Sequence, residues 1–234
     1  MPANPKRRKL TRWIVAAVAV VVVIVVGGPF VYFHFIQSDP PPKLSLDTTP
    51  VPSSVAGTAR APLAGTWKIA TGSLVRYRVT ETLFGQSGSA VGTTKSVTGS
   101  LTIAGTKVTA ATFSVDMTSL TSDENTRDDQ FQHRIMDTAD FPTATFVLTK
   151  PISFAPIPNN GVIKSYPATG KLTLHGTTKS VTIPLTAKRT GNVIQVQGIL
   201  TITFGDYGVN NPSGGPAQVG NSGQMEFLLN LEPS

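Results

Sequence analysis

Three histidines and no cysteine are all the chain offers for metal ligation or proton transfer at neutral pH. His34 falls inside an apolar run, which leaves His133 and His175. Asp129 and His133 are spaced to share one face of a helix, half of a metal site. A zinc site takes about three or four ligands, and no third is indicated, so the pair reads as a structural ion pair. Arg127 and Asp128 stand with Asp123 and Glu124 where a helix begins, a place where the dipole favours carboxylates. Their first reading is therefore capping and solubility. No G-x-S-x-G elbow, no supported S-x-x-K and no phosphate-binding loop occurs. Without cysteine, thiol nucleophiles, thiolate sites and disulfides are excluded together. The expectation is a non-enzymatic protein with no catalytic residues, no metal and no cofactor.

These residues must be positioned by a short helix over 122–136. Thr121 and Glu124 form a capping box, Phe131, Ile135 and Met136 make an apolar stripe, and Asp140-Phe141-Pro142 ends the segment. Around it the hydrophobic period is two, the mark of strands with one face on a core. Val75, Tyr77 and Val79 alternate with Arg76, Arg78 and Thr80, and Phe113, Val115 and Met117 with Ser114 and Asp116. The rhythm recurs at Phe146 and Leu148, at Leu172 and Leu174, and at Val181, Ile183 and Leu185. Further strands run through 97–103, 194–204 and 225–231. Ala104-Gly105, His175-Gly176 and Gly191-Asn192 sit between such runs and imply hairpins. About eight strands suffice to close a small antiparallel barrel. Two glycine-rich stretches, 85–94 and 210–224, read as loops, equally suited to be lids or slack connections. The interior has two readings on alternation alone: a ligand cavity, or a core filled by its own side chains.

The net charge of +7 is concentrated at the amino terminus, in Lys6, Arg7, Arg8, Lys9 and Arg12. Removing those five leaves 15 basic against 13 acidic residues, too even a balance for a surface that tracks nucleic acid. The next stretch, 13–36, has His34 as its one polar side chain and would span roughly 36 Å as a helix, enough to cross a membrane. A cleaved signal peptide is the rival, but the run continues through Phe30, Tyr32, Phe33 and Phe35, which suit an interfacial belt. Basic residues stay on the cytoplasmic side. The expected topology is therefore a cytoplasmic tail over 1–12, a transmembrane anchor over 13–36, a proline-rich linker over 37–64 and an extracytoplasmic domain over 65–234. With few large apolar groups to nucleate a core, the linker reads as a tether.

The motifs resemble those of the YceI family of polyisoprenoid-binding-like domains. Thr118-Ser119-Leu120-Thr121, Arg127-Asp128, Phe141-Pro142 and Phe146 are similar to one signature. Gly170-Lys171-Leu172-Thr173-Leu174-His175-Gly176-Thr177-Thr178 is similar to a second. Phe204-Gly205-Asp206-Tyr207-Gly208-Val209 resembles a third. They follow one another in family order across 65–234. The departures are Gln130-Phe131 and His133 where the family carries histidine and leucine, Gly205 where it carries arginine, and the long insertion at 151–167. The resemblance implies a lipocalin-like barrel that buries a long apolar lipid, a polyisoprenoid or an isoprenoid quinone. Val75, Tyr77, Val79, Phe113, Val115, Phe146, Leu148, Leu172, Leu174 and Ile183 are then the interior candidates. Arg127 or Asp128 would meet a headgroup at the mouth. The competing reading is an interaction module with a filled barrel.

Overall fold

The computed structural model describes Val21 and residues 40–46, 61–83, 85–214 and 217–234. The expected span and most of the linker lie outside these residues. Among the described residues no helix is long and apolar enough to cross a membrane.

Among the described residues twelve strands follow in chain order: β1 (Gly65–Ile69), β2 (Leu74–Leu83), β3 (Gln86–Thr94), β4 (Val97–Ala104), β5 (Lys107–Asp116), β6 (Thr143–Leu148), β7 (Ile152–Ser153), β8 (Lys164–Leu174), β9 (Thr177–Thr190), β10 (Val193–Thr203), β11 (Ala217–Val219) and β12 (Ser222–Pro233). Every pairing between them is antiparallel. The order β1-β4-β5-β6-β8-β9-β10-β12 returns to β1 through Trp67 opposite Pro233, which closes an eight-stranded barrel. The β2 strand continues the wall begun by β1, since both pair with β12 on one side, while on the other β1 pairs with β4 and β2 with β3. Closure removes the unpaired edge that an open sheet would leave. The short β7 and β11 add onto β5 and β2.

Local sequence explains the hairpins. Between β8 and β9 the loop is His175-Gly176, with φ of 49° and 70°. Two left-handed residues in a row twist in the sense of the flanking strands, and glycine adopts this conformation without steric cost. His175 gains a ring contact with Phe141, centroids 4.5 Å apart.

Two expectations are corrected. Residues 85–94 are mostly the strand β3, paired with β2 from Val75–Thr94 to Leu83–Gln86. The helix is shorter than 122–136: α1 covers Asn125–Gln130 and continues as one wide turn over Phe131–Ile135. Its cap is Glu124, whose carboxylate accepts the Thr126 and Arg127 N–H groups at 3.1 and 2.8 Å. Thr121 is instead held in a bridge to Thr93.

Part of the proline-rich linker is docked on the barrel. Arg78 donates to the Pro41 carbonyl at 2.7 Å, Arg76 to Pro42 at 3.2 Å and Lys188 to Leu46 at 2.7 Å. The Leu44 N–H donates to Glu226, a fully buried carboxylate that also pairs with Arg78 at 2.6 Å. Prolines remove backbone donors and leave carbonyls in need of partners. The outward cations of β2 and β9 supply them.

Candidate functional site

The inward side chains enclose two cavities at different levels. The larger, about 380 Å³, is walled by Val75, Tyr77 and Val79 of β2, Val115 of β5, Leu174 of β8 and Met225 of β12. Phe131, Ile135 and Met136 of the helical segment close over it, with Tyr77 and Phe131 stacked at 5.0 Å and 9°. Four charged residues border it, Glu81, Glu124, Arg127 and Arg76, the last with its guanidinium turned outward to the Pro42 carbonyl. The smaller cavity, about 140 Å³, is bounded by Phe113, Phe146 and Leu148 together with Leu101 and Ile194. Leu63, Phe154 and Ile157 cap it from the linker end and the 151–167 insertion.

The sequence candidates are thus divided between two sites. Val75, Tyr77, Val79, Val115 and Leu174 line the upper cavity, and Phe113, Phe146 and Leu148 the lower. Leu172 and Ile183 line neither, although they are only 2% and 3% exposed. They belong to the layer between the cavities, as their places on β8 and β9 require. At the mouth the structure separates Arg127 from Asp128. Arg127 borders the cavity, while the Asp128 carboxylate turns away to accept the Ser122 N–H at 2.8 Å.

The rim sets one cation, Arg127, among carboxylates. Arg127 pairs with Asp123 and lies 3.6 Å from Glu81. Burial pulls its guanidinium pKa down, but its donation to the Asp123 carboxylate and the charge of Glu81 outweigh that and raise it. Desolvation lowers Arg76, with Glu226 opposing. Burial pushes the Tyr77 hydroxyl up to about 12, so it remains a neutral donor at physiological pH. Glu124 is drawn below its ordinary range, because donation from the Thr126 and Arg127 N–H groups overcomes partial desolvation.

Asp129 and His133 meet at 3.1 Å on the solvent side of the helix. Among the described residues no cluster of three or more ligating side chains exists. The interior can solvate an apolar chain and its rim can hydrogen-bond a polar group. Among the described cavity linings there is no paired nucleophile and base.

Several lining residues escaped the sequence reading of the interior. Phe131, Ile135 and Met136 were legible as a helical stripe but not as a roof. Met225 was placed on a strand, and its parity with Phe227 and Leu229 would have marked it as inward. Val209 and Pro212 lie on an aperiodic segment and carry no such signal.

A closed antiparallel barrel with an apolar lumen and a helical roof defines a lipocalin-like architecture. The YceI-like domain model matches residues 67–231, and the chain belongs to that family. Among solved structures it is similar to a polyisoprenoid-binding domain from Saccharophagus degradans implicated in plant cell wall breakdown, at 16% identity and a TM-score of 0.58. That match covers 73% of this chain and 99% of the other. It is also similar to BcnA of Burkholderia cenocepacia, at 23% identity and a TM-score of 0.51, covering 66% and 95% of the two chains. At these identities the likeness establishes the fold. No curated protein matches the chain in sequence.

Proposed function

We propose that the protein is a membrane-anchored, extracytoplasmic carrier or sensor that holds an isoprenoid-type lipid inside its barrel. The observation that carries this reading is the upper cavity. At about 380 Å³ it falls within the roughly 300–1,000 Å³ typical of ligand pockets, which a filled interaction module would lack. Each buried methylene contributes about 0.8 kcal/mol, so apolar walls suffice to draw a chain from a bilayer without catalytic groups.

The rim favours an uncharged polar head. Its one inward cation, Arg127, is already engaged by Asp123 and Glu81, and Glu124 stands beside them. A phosphate would meet Glu81 and Glu124 at close range, whereas a quinone or hydroxyl can accept from Arg127 and Tyr77 without that repulsion. The similarity to a polyisoprenoid-binding domain supports the chain, and the basic amino-terminal tail before an apolar run supports the anchor and its orientation.

The test is solvent extraction and mass spectrometry of the full chain purified from native membranes. A co-purifying prenyl lipid is the expected result. Absence of lipid, together with no uptake of a prenyl quinone, would sink the proposal. Protease added to intact cells should remove the barrel domain and spare the amino-terminal tail.

A further inference from the structure

We propose that the two cavities are the ends of one chain-binding tunnel, and that the side-chain layer between them sets how long a chain the protein accepts. This rests on the lipid-binding reading above and extends it to chain length.

The lower cavity is too small to stand alone. Its volume of about 140 Å³ lies below the range of independent ligand pockets, and is near the ~150 Å³ of an apolar cavity that stays dry and takes a benzene-sized group. It fits the end of a chain whose head is held elsewhere. The strands align the two cavities: inward positions on β10 pass from Ile194 and Val196 in the lower, through Gly198 and Leu200, to Ile202 in the upper. On β8 they pass from Ala168, through Gly170 and Leu172, to Leu174. Six residues at about 3.3 Å, tilted by roughly 40°, separate Ala168 from Leu174 by about 15 Å along the axis.

The intermediate layer is shaped by rings laid over glycines. Gly198 is opposite Phe227 in the β10–β12 register. A Cβ on Gly198 would meet the tip of that ring, with Cε1 at 2.8 Å and Cζ closer still. Phe227 therefore leans sideways onto the neighbouring strand and not across the lumen. Phe146 does the same over Gly170, but there the Val147 carbonyl also crowds the position, at 2.5 Å. Gly198 is the cleaner place to intervene, because the three nearest atoms all belong to the Phe227 ring and its backbone is not left-handed. An added methyl forces the ring into the passage.

The experiment compares geraniol with the much longer solanesol, both uncharged prenols, bound to the detergent-solubilised full chain. Wild type should bind solanesol more tightly. Gly198→Ala should weaken solanesol about tenfold and leave geraniol within about twofold, and adding Phe227→Leu should restore the loss. Leu200→Trp, which fills the same layer from β10, should reproduce the selective loss, and it decides the matter if Gly198→Ala melts early. Equal effects on both prenols, or none on either, in folded variants overturn the tunnel. Binding of neither prenol by wild type overturns the lipid reading itself.

Discussion

The upper and lower cavities share strands β5, β6, β8 and β10 and the same alternation, yet they differ in what closes them. Above, a short helix and the segment around Val209 and Pro212 form a roof edged by Glu81, Glu124 and Arg127, and the cavity reaches about 380 Å³. Below, Trp67, Ile103 and Leu231 are almost wholly buried, the linker residue Leu63 folds in, and only about 140 Å³ is left. The contrast teaches that strand pattern makes a barrel, whereas the segments outside the strands decide which end is hollow. If the barrel holds a lipid as proposed, the packed lower end is expected to carry stability and the charged upper rim the choice of head group.

The largest effect that can break this contrast is at Trp67. It is 1% exposed, its indole donates to the Leu63 carbonyl at 2.9 Å, and Arg189 lies over its ring at 5.0 Å. Trp67→Ala should cost about 3–5 kcal/mol in denaturant unfolding, with the preference among lipid heads unchanged. Phe131→Ala in the upper roof should cost less, because a side chain beside an existing cavity has fewer contacts to lose. Equal losses at the two sites would show that both ends bear stability alike.

Selectivity should respond in the opposite place. Arg127→Ala removes a donor at the rim and leaves Glu81 without its cation, so binding of a prenyl quinone should weaken by about tenfold, in line with about 1.5 kcal/mol for a hydrogen bond to a charged group. Unfolding should shift by less than about 1 kcal/mol, the usual limit for partly exposed ion pairs. Calorimetric titration and denaturation of one protein sample measure both. A large stability loss with unchanged binding would reverse the assignment of roles.

How far these roles were legible in the sequence follows from periodicity. Alternation placed Val75, Tyr77, Phe113, Val115, Phe146 and Leu174 on inward faces, and glycine-bearing turns located the hairpins. It does not report height along the axis, which depends on strand tilt and stagger. Leu172 and Ile183 were for that reason grouped with the cavity residues, although they occupy the layer between. Strand β3 was hidden by its small residues. Gly88, Ser89, Ala90 and Gly92 have the composition of a loop, but a Cβ at Gly92 would collide with the Tyr77 ring across the ladder. The glycine there makes room for a site aromatic. The docking of residues 40–46 was equally hidden, since its partners are outward cations and one buried carboxylate on distant strands.

The smallest effect sharpens the contrast by loosening the roof alone. Glu124 caps α1, and its folded pKa lies below the ordinary value of 4.5, because the Thr126 and Arg127 N–H groups favour the carboxylate over the desolvation that opposes it. A depressed carboxylate contributes stability that is fully present above its unfolded pKa and is lost as pH falls through the lower, folded one. Acidification across that window should therefore lower the protection factors at Thr126 and Arg127, exchange being corrected for its intrinsic pH dependence, while amides of β1 and β12 stay protected. Glu124→Gln keeps an acceptor and should remove the pH dependence. Glu124→Ala should open the helix at every pH, at a cost of about 0.5–2 kcal/mol for a lost cap. Exchange that rises together in the roof and in the Trp67 layer would mean that the two ends unfold as one unit, and that the upper cavity has no separate lid.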